Sequence, residues 1–198
     1  MVTVSGPSST YVSHRATINQ LPQELIVIIF HLCLDSLNRV EVRTQLTLVC
    51  RIWRAIIEGN PRFGMAHYFL GCARREVGDD AAALAHLRDA AGLMGESAEV
   101  TAASGVTLVR LDERRAREAL ASLEQRARGG YVSPVLLAQV HTALGEHERA
   151  LDALDAARRA RATDLAWIAV RPVFDPLRGE SRFARLLIGL GLSAVAPG

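Results

Sequence analysis

The sequence predicts an all-α protein of two unlike parts: a unit of three short helices over residues 18–63, then stacked helical pairs over 65–162 and a capping helix within 163–192. Three observations predict it. An apolar run lies near the start, a set of small and aliphatic residues returns after 67 positions, and the closing stretch carries apolar residues at helical spacing. Residues 1–17, rich in serine, and residues 193–198 read as tails.

The first helix is expected to open at Leu21 or Pro22, because proline suits the first helical position, where its missing N–H costs nothing. Glu24 then favours the positive end of the helix dipole. From Leu25 to Leu34 only His31 is polar, so this helix must be covered on every side. Two further helices are expected at about Arg39–Cys50 and Arg51–Glu58, with Leu46, Val49, Trp53, Ile56 and Ile57 at helical spacing. A unit of this size rarely builds a sufficient core alone. Its surplus apolar surface has to meet either the rest of the chain or another molecule.

The strings Ile18-Asn19-Gln20-Leu21-Pro22-Gln23-Glu24-Leu25, Ile29-Phe30-His31-Leu32-Cys33-Leu34, Leu46-Thr47-Leu48-Val49-Cys50-Arg51-Ile52-Trp53-Arg54 and Asn60-Pro61-Arg62-Phe63 resemble the F-box-like domains abundant in fungi. The resemblance covers about a quarter of the chain; it departs where Phe63 and Gly64 stand in place of the tryptophan usual after the Asn-Pro-Arg step. It implies docking to the Skp-type adaptor of a cullin ubiquitin ligase, with Leu21, Pro22, Leu25, Ile29, Val49, Cys50 and Trp53 on, or supporting, the docking face.

Composition changes abruptly near Gly59–Met65. Residues 1–64 hold two alanines and seven isoleucines, whereas residues 65–198 hold twenty-eight alanines and two isoleucines, which marks a domain boundary. Two origins fit the step: a fusion of segments with separate histories, or one gene whose close-packed helices favour alanine. Beyond it, Leu70, Val77, Gly78, Ala83, Leu84, Leu87 and Ala90 return as Leu137, Leu144, Gly145, Ala150, Leu151, Leu154 and Ala157, with Asp79 answered by Glu146. Ala119, Leu120 and Leu123 supply a middle unit with a shifted loop. Gly78 and Gly145 suit the left-handed residue that ends a helix, and the acid after each suits the start of the next. Ala83 and Ala150 allow close approach, and Leu87 and Leu154 fill the space between helices.

A spacing of 67 is two periods of about 34 residues, and over Met65–Ala162 the pattern resembles three tetratricopeptide repeats. Ser133-Pro134 is a helix start, and Gly129-Gly130 ends the helix before it. Val170–Arg178 holds two prolines and cannot be one helix, while Phe183, Leu186, Leu187 and Leu190 mark a final amphipathic helix that covers the open end of the stack. The stretch from Phe174 to Leu192 resembles the closing segment of bacterial tetratricopeptide regions. By resemblance to such arrays, Tyr68, Arg75, Gln139 and Thr142 fall on the inner face that receives a protein or peptide.

Bulk properties exclude several classes. A formal charge of +2 makes no electrostatic case for nucleic acid. All 23 basic residues are arginine, which removes every lysine-dependent chemistry, from phosphate loops to Schiff bases. Cys33, Cys50 and Cys72 lack metal spacing and read as buried small hydrophobes in a reducing compartment. His141 and His147 are six apart, and His147-Glu148 lacks the second histidine of a zinc motif, so neither a metal nor a cofactor is expected. Leu25–Leu34 is too short to span a bilayer, and the chain reads as intracellular. Arg110, Arg114, Arg115, Arg117, Arg126 and Arg128, interleaved with acids, read as a paired helix face.

Two functions of different kinds follow. One is a non-catalytic substrate receptor of an SCF-type ubiquitin ligase, its F-box face on the Skp-type adaptor and its repeats on a protein substrate. The other is an interaction scaffold whose N-terminal helices only cap the repeats. An enzyme is not expected, because no nucleophile, metal or phosphate constellation stands in the sequence.

Overall fold

A computed structural model describes residues 39–95 and 97–192, and for residues 39–48 the backbone alone. The expected helix from Leu21 or Pro22, with Leu25 and Ile29, and both expected tails lie outside the described residues. Among the described residues the fold is all-helical. Its elements are α1 Arg39–Gly59, α2 Gly64–Glu76, α3 Asp80–Met94, α4 Ala98–Leu108, α5 Glu113–Gly129, α6 Pro134–Ala143, α7 His147–Arg159 and α8 Ser181–Gly189, with 3-10 turns at Thr163–Trp167 and Pro172–Leu177.

Residues 39–59 form one helix where two were expected. The reason is local: no glycine or proline interrupts the stretch before Gly59, and Cys50-Arg51 carries nothing that would break the hydrogen-bond ladder. The helix stops where Asn60-Pro61 begins a tight turn. Val49, Cys50, Trp53 and Ile56 are buried against Ala66, Leu70 and Ala73 of α2, and the Trp53 ring stacks on Phe69 at a centroid distance of 4.9 Å.

The remaining helices associate as hairpins, α2 with α3, α4 with α5 and α6 with α7. The first helices α2, α4 and α6 touch in succession, and α3 and α5 each lean on the first helix of the next hairpin. Two of the three hairpin turns share one backbone device. Gly78 and Gly145 stand at φ +84° and +75°, and the amides after them reach back to the Arg74 and His141 carbonyls at 2.9 Å. This satisfies helix-terminal carbonyls that would otherwise lack partners. The middle hairpin differs, as its sequence predicts: both the Leu111 and the Asp112 amides bond the Leu108 carbonyl, and no residue of that turn has positive φ.

Helix starts follow their caps. Asp79, Ser97, Asp112 and Ser133 accept from the amides of Ala82, Val100, Arg115 and Val135. The Ser133 hydroxyl also donates to Asp164 at 2.7 Å, tying the start of α6 to the turn after α7. Small residues set the helix spacing. Ala83, Ala116, Ala138 and Ala150 are fully buried, and a Cβ on Gly71 would stand 2.8 Å from Leu87 Cγ, so α2 and α3 are closer than any larger residue there would allow.

The third hairpin is covered on its outer side. Phe174, Leu177, Phe183, Leu186 and Leu187 join Ala150, Leu151 and Leu154 in one core. Arg182 of α8 clamps α7 through Asp155 at 2.6 Å and Asp152 at 2.7 Å. The two prolines of Pro172–Leu177 shape a turn packed on α6, where the sequence predicted a break.

Candidate functional site

Succession of α2, α4 and α6 leaves a concavity at their C-terminal ends, and the proline turn forms its far wall. Arg75 and Glu76 of α2, Val106, Val109 and Arg110 at the end of α4, Ala143 of α6, and Pro172, Val173 and Pro176 of the turn line a groove of about 300 Å³. Its walls are mostly apolar, with charge concentrated at the α2 and α4 edge.

That charge is largely paired. Arg75 donates from Nε and Nη2 to Glu76 Oε1 at 2.9 and 2.7 Å. Arg110 grips Asp80 with two nitrogens, one at 2.8 Å, and donates to the Arg75 carbonyl at 3.0 Å. Burial pulls the Arg75 guanidinium downward, but Glu76, Cys72 and Tyr68 more than offset it and the group is held above its ordinary value. A bidentate guanidinium–carboxylate pair fixes geometry as well as charge, so these arginines brace the groove mouth. Two cations matched by two carboxylates make a poor clamp for acidic tails.

The four inner-face positions expected from the repeats separate on inspection. Arg75 lines the groove. Tyr68 packs against the Cys72, Leu87 and Ala103 core, and burial pushes its hydroxyl well above the ordinary value, so it stays protonated. Thr142, 2% exposed, donates to the Ala138 carbonyl at 2.8 Å and is occupied within its own helix. Gln139 is also buried, and among the described residues its side-chain Nε2 has no hydrogen-bond partner. An unpaired buried amide is costly, and Gln139 stands one turn before the groove residue Ala143.

Of the expected docking face, Leu21, Pro22, Leu25 and Ile29 lie outside the described residues. Val49, Cys50 and Trp53 are buried in the α1–α2 contact, at 3%, 6% and 4% exposure. Burial pushes the Cys50 thiol up, against the lowering influence of Arg74 and Arg54, and burial likewise raises Cys72. Neither thiol is poised as a nucleophile.

Sequence reasoning missed Val106, Val109, Pro172, Val173 and Pro176, and it assigned Arg110 to a helix face paired with its own interleaved acids. Arg114–Glu118 and Arg117–Glu113 do pair at i,i+4, whereas Arg110 reaches thirty residues back to Asp80. One signal was present: a turn with prolines four apart after the last repeat is stiff enough to serve as a wall. No helix among the described residues is long and apolar enough to cross a membrane. The chain matches no family model, and neither a search of curated proteins nor one of solved structures finds a similar protein.

Proposed function

We propose that the chain is a non-catalytic protein-interaction scaffold of three tetratricopeptide-like repeats, whose groove holds an extended peptide with apolar side chains. One observation carries this reading: the first helices of successive hairpins line one apolar concavity that the proline turn closes on a single side. Concave, largely preformed and apolar surfaces with a few fixed polar groups are where ligands settle. Selection of displayed random peptides on the full chain tests it. Val109→Arg and Ala143→Arg should abolish capture of the selected peptides, while Arg159→Glu at the end of α7 should leave capture intact. Equal capture by all variants would refute a groove-bound ligand.

The second reading, a substrate receptor of an SCF-type ligase, rests on the F-box-like residues around Leu21-Pro22. Burial of Trp53 beneath Phe69 bears on how to test it. Trp53→Ala would loosen α1 from α2 whatever the partner, so Leu21→Ala is the informative variant. Retention of purified Skp-type adaptor by the unmodified chain, lost in Leu21→Ala, supports docking; no retention by the unmodified chain removes this reading and leaves the scaffold.

A further inference from the structure

We propose that His67, His86 and Asp89 form a divalent-metal site of zinc type that clips α2 to α3. The three side chains offer ligand atoms all within 4.8 Å of one another. His67 Nδ1 stands 3.4 Å from His86 Nδ1 and 3.5 Å from Asp89 Oδ2. Tetrahedral zinc with ligands at about 2.0–2.1 Å separates its ligand atoms by roughly 3.3 Å, close to both distances.

The tautomer is set from outside the cluster. His67 Nε2 lies 3.2 Å from the Pro61 carbonyl oxygen. A carbonyl only accepts, so Nε2 carries the proton and Nδ1 of the neutral ring turns a lone pair toward Asp89 and His86. Two acceptors, the His67 Nδ1 lone pair and the Asp89 carboxylate, thus lie 3.5 Å apart, an arrangement that a cation bound between them would stabilise. Metal-bound histidines are oriented in this way, with the second ring N–H given to a carbonyl. His67 is 7% exposed and rigidly framed; Asp89, with its side chain 56% exposed, is free to close on the ion and leaves the fourth position to water.

The internal repeat supplies an independent argument. Sixty-seven residues on, the equivalents of His67, His86 and Asp89 are Pro134, Ala153 and Ala156. The third hairpin folds with none of these polar groups, so packing does not require them in the first. Charges around the cluster are mixed. Burial and His67 disfavour positive charge on His86, as do Arg74 and Arg54 more weakly, and Asp89 favours it; Arg74 is itself paired with Asp79 at 3.4 Å. Imidazole and carboxylate together suit zinc and its neighbours in the transition series. Through His67 and the Pro61 carbonyl, the ion would also steady the turn that carries α1.

Titration of the full chain with ZnCl2 in a non-chelating buffer, followed by calorimetry and by thermal unfolding, tests the site. One zinc per chain is expected, with a rise in Tm that EDTA reverses. His86→Ala and Asp89→Asn should each weaken binding at least about tenfold, the scale on which even supporting partners of metal ligands matter, while unfolding as the parent does in EDTA. His147→Ala should bind as the parent does. Cobalt should give visible bands without a sulfur-to-metal charge-transfer band, because no thiolate belongs to the set. Failure of the unmodified chain to bind, or undiminished binding by the His86→Ala/Asp89→Asn double variant, would overturn the site; neither result touches the groove.

Discussion

The first and third hairpins share a sequence pattern and a turn yet spend their polar residues differently. Arg74 and His141 occupy equivalent positions, and each reaches the acid five residues on, Asp79 at 3.4 Å and Glu146 at 2.8 Å. Asp79 also caps α3 through the Ala82 amide, whereas Glu146 makes no cap bond and instead gathers His141, Arg117 and Arg149. The apolar frame is common to both, and the polar residues set each hairpin apart. Position 71 sharpens this further: a Cβ added to the glycine there would meet Leu87 Cγ at 2.8 Å, whereas the equivalent position 138 holds a fully buried alanine.

The largest effect should come from the shared frame. Leu87 and Leu154 are both fully buried, so Leu87→Ala and Leu154→Ala should each cost about 2–5 kcal/mol in denaturant unfolding. A large gap between the two would show that the hairpins are not equivalent in packing. Next comes Gly71→Ala. Its Cβ would meet Leu87 Cγ at 2.8 Å and the Ala83 carbonyl at 3.1 Å, and overpacking of this kind costs about 1–3 kcal/mol. Should the variant instead gain stability, α2 and α3 can part far enough to admit a methyl group, and the close approach is not required.

Gly78→Ala and Gly145→Ala follow. Nothing stands within 4 Å of either added Cβ, so the cost is that of a left-handed backbone alone, about 1–2 kcal/mol, and it should be equal at the two turns. Calorimetric unfolding of the pair gives the comparison directly.

The smallest effects separate the two acids. Asp79→Ala removes a cap worth about 1 kcal/mol, together with the salt-screened ion pair to Arg74. At Glu146, burial pushes the carboxyl up, but hydrogen bonds from Arg117, His141 and Arg149 win and hold it below its ordinary 4.5. A depressed carboxylate contributes its stability above the unfolded value and loses it as pH falls through the folded one. Tm measured downward from pH 4.5 should therefore fall less steeply in Glu146→Gln than in the parent; parallel curves would mean that these exposed pairs contribute nothing.

Much of the helical plan was legible because its signals are local. Gly78, Gly145, Ser133-Pro134 and the Phe183–Leu187 spacing each act within about one helical turn, and each stands in the structure in the role its chemistry indicates. The expected break near Cys50-Arg51 fails for the same reason: it had no local stop signal, and α1 runs through it. Inner-face positions were harder. Thr142 and Arg75 are equivalent in the repeat, yet one is buried on its own helix and the other lines the groove. Which side of a first helix stays open depends on the neighbour laid against it, and periodicity carries no record of that neighbour.

By itself, the sequence determined the helices, the glycine turns, the alanine contacts and the covered end, since hydrogen bonding and side-chain periodicity operate between residues a few positions apart. Only the tertiary structure decided that Arg75, Arg110, Ala143 and Pro176 share one groove, that Trp53 is occupied against Phe69, and that His67 faces His86 and Asp89. Those meetings join segments as much as a hundred residues apart, and they follow from how closely whole helices pack, a quantity set by every buried side chain at once.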